Sequence, residues 1–292
     1  MERLIWLFHF LFLFFKHQSA SSSSPVSSSP SSNHSCSLNE RSLLQFKQMF
    51  TVNSSASSFC DELGSPSYPK TLSWNETTDS DCCSWDGVTC EVSTGHVTRL
   101  DLSCSKLYGT IHPNTTLFQL SHLQQLNLAF NHFNFSPFPP SFSCFTSLSH
   151  LNLSSSFLSG SIPSEIAHIS KLVLLDLSYS YVGRFEPHNF KTLLMNLTRL
   201  ENLKLTGVNI SSGLTDSLLN LSSLAELDLS ETGLYGELPD SLGNLTRITV
   251  LRLSENNLNR QVPSTLSNLE QLIEFSIVDN NLDGTIPEFF SI

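Results

Sequence analysis

The sequence predicts a curved α/β solenoid, and three observations carry that prediction. Paired Leu-x-Leu positions begin at Leu100, Leu126, Leu151, Leu175, Leu203, Leu227 and Leu251, with Phe275 and Ile277 filling an eighth, at spacings of 26, 25, 24, 28, 24, 24 and 24 residues. A shared period near 24 is the mark of an array of stacked units. The copies fit one template, L-x-x-L-x-L-S-x-N-x-L-x-G-x-I-P-x-x-[LI], clearest in LAELDLSETGLYGELPDSLGNL from Leu224 to Leu245 and matched by LSHLNLSSSFLSGSIPSEIAHI from Leu148 to Ile169. Finally, 39% hydrophobic content in 292 residues is enough for a sizeable core.

Each template position has a physical task. In a short strand, alternate side chains point inward, so the Leu-x-Leu pair fills the core while the residues between face out on the concave side. Five residues beyond the first leucine stands an asparagine in the best copies, Asn131, Asn256 and Asn280, placed to satisfy backbone groups that a buried coil would leave unpaired. Ser156, Ser180 and Thr232 can do this less fully. Val208 cannot, so its copy is expected to be locally irregular, in keeping with the 28-residue spacing that leads into it. Gly109, Gly160, Gly236 and Gly284 permit a tight turn, and Pro163, Pro239, Pro263 and Pro287 fix φ where the chain returns along the outer side.

Upstream of the array the chain divides into three parts. Residues 1–20 place Arg3 before a twelve-residue, largely apolar run from Leu4 to Phe15 and small residues around Ser19 to Ser21, the grammar of a secretory signal peptide. Twelve helical residues cover about 18 Å, short of the ~30 Å hydrocarbon core. Residues 21–35, SSSSPVSSSPSSNHS from Ser21, have little to bury and read as a disordered spacer. Residues 36–95 form a non-repeating segment opening with SLNERSLLQFKQMF, where Ser37 and Glu40 have capping-box spacing and Leu43, Leu44, Phe46 and Phe50 favour one helical face. Residues 96–292 hold about eight copies, the last incomplete.

Charge and cysteine usage narrow the function. With 15 Lys+Arg against 26 Asp+Glu, a net charge of -11 repels nucleic acid and anionic lipid and favours basic partners. Seven cysteines without a C-x2-C pair, behind a signal peptide, read as disulfides in an oxidising compartment, not as a zinc site. Ten N-x-[ST] sequons, at Asn33, Asn53, Asn75, Asn114, Asn134, Asn152, Asn196, Asn209, Asn220 and Asn244, fit a secreted glycoprotein. No H-E-x-x-H, G-x-S-x-G, Walker-type or kinase motif occurs. Asp228 with Glu226 or Glu231 offers paired carboxylates, but on an open strand face with little to desolvate them. The reading is therefore a binder with no enzyme activity, no cofactor and no metal.

The L-x-G-x-I-P segment resembles the plant-specific class of extracellular leucine-rich repeats, and WNETTDSDCCSWDGVTCEVSTGHVTRLDLS looks like the cysteine-paired amino-terminal cap of those proteins. Within the class, LNERSLLQFKQMF, the cap and LDLSCSKLYGTIHPNTTLFQLSHLQQLNLAFNHFN are similar to the Cf-type receptor-like proteins that detect fungal products in plant defence. The resemblance implies a right-handed superhelix with a disulfide-bonded helical cap. It also implies Cys83 bonded to Cys90 and Cys82 bonded to an upstream partner, Cys36; Cys60 with Cys104 is a third candidate pair outside that resemblance, which would leave Cys144 over, and the sequence leaves the connectivity of these three open. It further implies an extracellular module that recognises a protein or pathogen-derived peptide ligand, with a receptor-kinase co-receptor in an intact relative at the plasma-membrane surface. Intact members carry more repeats, a membrane span and a short tail, whereas this chain stops at IPEFFSI, so a truncated or partial product is expected. A secreted inhibitor similar to polygalacturonase-inhibiting proteins is the alternative.

Strand alternation places the candidate contact residues. Glu201 and Lys204, then Glu226, Asp228 and Glu231, then Arg252 and Glu255, then Glu274 and Asp279 are expected to stack at the ~5 Å pitch of neighbouring strands as a mostly acidic, exposed stripe. A glycan on Asn152 would obstruct an earlier part of the concave face and shift ligand binding to the later copies.

Overall fold

The structure, a computed structural model, describes residues 36–75, 81–180, 182–186 and 188–283. The signal and spacer segments, Asn33, Gly284 and Pro287 lie outside them. Eight short parallel strands and one antiparallel cap strand, Val88–Cys90, form a nine-stranded sheet. The central residues Leu100, Leu126, Leu151, Leu175, Leu203, Leu227, Leu251 and Phe275 stand in register from strand to strand. Both leucines of each pair from Leu100 to Leu253 are under 2% exposed, so one continuous apolar column runs the length of the array. At about 25 cal/mol per Å² of apolar surface, that column is the main stabilising term, and each coil depends on its neighbours to supply the covering face.

The repeat template explains the return path. Pro163, Pro239 and Pro263, at φ -68°, -71° and -60°, precede short 3-10 turns on the convex side. Gly109 is required by close approach, because a Cβ there would meet the Met49 carbonyl oxygen at 2.5 Å, where Phe50–Val52 pairs antiparallel with Leu107–Gly109.

Between the stacked turns, Asn131 is fully buried: its Oδ1 accepts from the Leu107 amide (3.0 Å) and its Nδ2 donates to the Leu102, Leu128 and Ala129 carbonyls. Asn256 and Asn280 repeat this pattern. Ser156 and Thr232 donate to the carbonyls of Leu153 and Leu229, whereas the buried Ser180 hydroxyl makes no hydrogen bond among the described residues, so serine does not always substitute. The copy carrying Val208 is more regular than expected. Its strand, Asn202–Lys204, pairs in register on both sides, and Val208 is buried as a core residue. The four extra residues are absorbed upstream, where an eight-residue helix, Asn189–Asn196, replaces the usual 3-10 turn.

The cap begins with a helix, Ser37–Lys47, but not through a capping box. Cys36 occupies the N-cap without a side-chain bond, and its carbonyl accepts from the amides of Asn39 and Glu40. Ser37 is thus the first helical residue, one position too late to cap. Leu43, Leu44 and Phe46 are buried as expected, while Phe50 belongs to the following strand. The cap core includes stacked Trp74 and Trp85, 5.5 Å apart. Disulfides join Cys36 to Cys82, Cys83 to Cys90 and Cys60 to Cys104. The last of these ties the cap to the first repeat, and the exposed Cys144 is free.

Candidate functional site: the concave face

The residue between the two leucines of each strand turns out to have a structural task as well as an outward position. Asp101, Asn127, Asn152, Asp176 and Asp228 each accept, through Oδ1, a hydrogen bond from the backbone amide two residues on, at 2.9 to 3.1 Å. These Asx turns steer the chain out of the strand. Lys204 and Arg252 occupy the same column and cannot accept; they bridge carboxylates instead. Lys204 reaches Glu226 at 3.0 Å, and Arg252 reaches Glu226 at 3.1 Å, Asp228 at 3.4 Å and, with its second terminal nitrogen, Glu274 at 2.7 Å. Cation, anion and cation therefore alternate across three strands at Lys204, Asp228 and Arg252.

This corrects the expectation of an open acidic stripe. Glu226 is buried because two cations from adjacent strands close over its Oε1, while its Oε2 has no partner among the described residues. Asp228 and Glu274 are drawn into the same network. Burial works against the charge on Arg252, but Glu274, Asp228 and Glu226 outweigh it and hold the guanidinium protonated. The free acidic surface lies one column over, at Glu231, Glu255 and Asp279, each in the left-handed region (φ 56°, 55° and 55°) just past its strand. The Glu231 and Glu255 amides donate to carbonyls of the following copies, Ser254 and Val278, which fixes the column. Partial burial, then the charges of Glu255 and Asp228, push the Glu231 carboxyl up. Glu201 is exposed at the edge of the face.

Towards the cap the concave face deepens into a depression of about 350 Å³, whose polar lining includes Arg99, His150, Asn152, Asp176 and Lys204. Asp176 was not singled out by charge reading of the sequence, although the same strand alternation places it there. Burial raises its carboxyl above the ordinary range against the opposing charge of Lys204. The native state thus holds the Asp176 proton more tightly than the unfolded chain does, so this carboxyl costs stability as pH rises from its unfolded value of 3.8 through its raised folded one. Asp176→Asn, which keeps the oxygen that accepts from Ser178, is expected to stabilise the protein at neutral pH, with the gain fading in acid. Chemical denaturation at several pH values checks this; a gain that is constant with pH would contradict it. His150 is shifted downward by burial and by Arg99, with Glu201 opposing.

Of the sequons, Asn75, Asn114, Asn134, Asn196, Asn209, Asn220 and Asn244 are exposed, while Asn53 and Asn152 are half-buried with Oδ1 engaged by Ser55 and Ser154.

Comparison with known proteins fits this geometry. Residues 40–91 match the leucine-rich-repeat N-terminal domain, and residues 147–169, 223–245 and 247–269 match the leucine-rich repeat. Receptor-like protein Cf-9 of Solanum pimpinellifolium is 48% identical over 175 residues, 59% of this chain and 20% of its own length. Receptor-like protein 6 of Arabidopsis thaliana is 47% identical over 154 residues, 51% of this chain and 15% of its own. The chain thus spans about a fifth or less of the curated relatives it matches. Among solved structures, the Arabidopsis receptor kinase HAESA in complex with the peptide hormone IDA and the co-receptor SERK1 superposes with a TM-score of 0.68 at 29% identity, covering 87% of this chain and 39% of that one. The peptide hormone receptor RGFR1 in complex with RGF2 gives 0.53 at 27% identity, covering 62% and 28%.

The fold is accordingly that of the plant leucine-rich-repeat ectodomains. Within that class, the homologues of this chain are Cf-9 and related receptor-like proteins. No helix among the described residues is long and apolar enough to cross a membrane.

Proposed function

We propose that this chain is an extracellular ligand-recognition module of a plant receptor-like protein, acting in pathogen perception by binding and not by catalysis. The observation that carries the reading is the concave face itself: a rigid parallel sheet presents ordered polar side chains in fixed columns, with three carboxylates, Glu231, Glu255 and Asp279, that join none of the salt bridges among the described residues. Similarity to Cf-9 and to peptide-hormone receptor ectodomains supports a protein or peptide as the ligand and a receptor-kinase co-receptor as a second partner. Three disulfides support an oxidising, extracellular setting.

The ligand this face fits is basic. Lys204 and Arg252 are committed to intramolecular bridges, so the charge offered to a partner is that of the outer acidic column. Opposite charges placed in this way act mainly on the encounter rate and on specificity. Reversing Glu231, Glu255 and Asp279 to lysine together is expected to slow association with the cognate ligand about tenfold or more at low salt, with the difference shrinking as salt rises. Surface plasmon resonance at two ionic strengths measures this. Unchanged association and dissociation rates would mean that the column is only a solvated face.

A further inference from the structure

Away from the concave face, four aromatic side chains from three successive coils meet on a lateral surface. The His132 ring stacks on Phe157 (4.3 Å between centroids, 11° between planes) and lies 5.0 Å from Tyr108. Phe135 packs edge-on against both His132 (5.5 Å) and Phe157 (5.8 Å). Phe135 is 51% exposed and Tyr108 36%, so the cluster presents ring surface to solvent instead of to the core. A contiguous apolar patch of this kind is costly in a secreted protein unless something covers it.

The backbone beneath the patch makes a tight turn. Asn134 and Phe135 both have positive φ (51° and 54°), and the Ser136 amide donates to the Phe133 carbonyl at 2.9 Å, closing a two-residue turn of the mirror-image type. Asparagine tolerates that region; phenylalanine does so at a cost. Phe135 stands nine residues past Leu126, the place that Gly160, Gly236 and Arg260 take in their copies with φ of 80°, 86° and 65°, so the repeat asks for a left-handed residue here and a phenylalanine fills a position better suited to glycine. The turn sets Asn134 and Phe135 side by side on the surface, with the Phe135 amide held by the Phe157 carbonyl at 2.9 Å.

Asn134 is also the first residue of the sequon Asn134-Phe135-Ser136. Its Oδ1 accepts from the Tyr108 hydroxyl at 3.3 Å, and among the described residues its Nδ2, the atom that would carry a sugar, makes no hydrogen bond. We propose that Asn134 is N-glycosylated and that the first sugars of its glycan lie across the platform of Tyr108, His132, Phe135 and Phe157, covering it. The chemistry matches: the C–H face of a pyranose carries partial positive charge, and the face of an aromatic ring carries partial negative charge. The Tyr108 bond orients the amide through the oxygen that glycosylation leaves free. The inference requires passage through the secretory route but does not depend on ligand recognition.

The test uses the full chain secreted from plant cells. Glycopeptide mass spectrometry is expected to find Asn134 occupied. Glycans elsewhere with Asn134 bare would overturn this inference alone, and no glycan anywhere would overturn it together with the extracellular reading. Hydroxyl-radical footprinting before and after enzymatic removal of the glycans is expected to show a severalfold rise in oxidation of Phe135 and Tyr108, with no change at the 86% exposed Ile273. Asn134→Gln should reproduce the rise and Asn244→Gln should not. Equal oxidation of Phe135 with and without the Asn134 glycan would show that the sugar projects into solvent and leaves the platform bare.

Discussion

Replacing Asn256 by alanine is expected to destabilise its coil by about 3 kcal/mol, well beyond the usual effect of a polar-to-alanine change. The Asn256 amide serves five backbone groups at once: Nδ2 donates to the carbonyls of Leu229, Leu253 and Ser254, and Oδ1 accepts from the amides of Thr232 and Leu234. With alanine the three carbonyls keep other donors, Thr232 Oγ1, Asn280 Nδ2 and the Glu231 amide, but the Thr232 and Leu234 amides lose their partner, and each buried orphan costs roughly 1 to 3 kcal/mol where water does not reach it. The figure assumes that a water entering the vacated space recovers part of the loss. Because a stacked array does not unfold all-or-none, hydrogen exchange at Thr232 and Leu234 measures the effect better than a single melting temperature. A loss below about 1 kcal/mol at those amides would mean that the asparagine is dispensable in this coil.

How much of this was legible in the sequence differs from element to element. The strands were, because a period of 24 with leucines two apart leaves one way to bury both leucines of every copy, and the proline and glycine positions follow from the return path. The pairs Cys83–Cys90 and Cys36–Cys82 came from resemblance, since seven cysteines admit many connectivities, whereas Cys60 with Cys104 was open until the fold brought the two together. The helix at Ser37 was legible as a helix, but its capping was misassigned by one residue because the Cys36 backbone fixes its start. Less legible was the division of labour on the concave face. Alternation places Glu226, Asp228 and Glu274 facing out, yet it cannot show that Lys204 and Arg252, 22 to 26 residues away in sequence, lie close enough to neutralise them. Nor does it show that the residue between the leucines accepts a backbone hydrogen bond, so the aspartate of LDLS is a turn residue before it is a contact residue. The aromatic platform escaped for the same reason: Tyr108, His132, Phe135 and Phe157 are scattered over 50 positions and meet only when coils stack.

Arg252→Met is expected to cost about 3 kcal/mol, because it removes the cation shared by Glu226, Asp228 and Glu274 while leaving Glu226 buried. Methionine keeps the aliphatic stem, so the loss reports charge and hydrogen bonding more than packing. Breaking one side of a buried ion pair typically costs ~3 to 5 kcal/mol; the lower end applies here because Lys204 still holds Glu226 at 3.0 Å. Adding Glu226→Gln to Arg252→Met should recover most of the loss, since a neutral amide does not need the missing charge. Lysine at position 252 should recover less, because it cannot span three carboxylates as a planar fork does. Urea denaturation of the four proteins, with hydrogen exchange at the strands Glu226–Asp228 and Val250–Arg252, distinguishes the cases. A loss under about 1 kcal/mol for Arg252→Met, the range of exposed pairs, would mean that water already screens the network. The carboxylates at 226, 228 and 274 would then be available to a ligand after all, and the acidic surface would extend across the strands instead of stopping at the column of Glu231, Glu255 and Asp279.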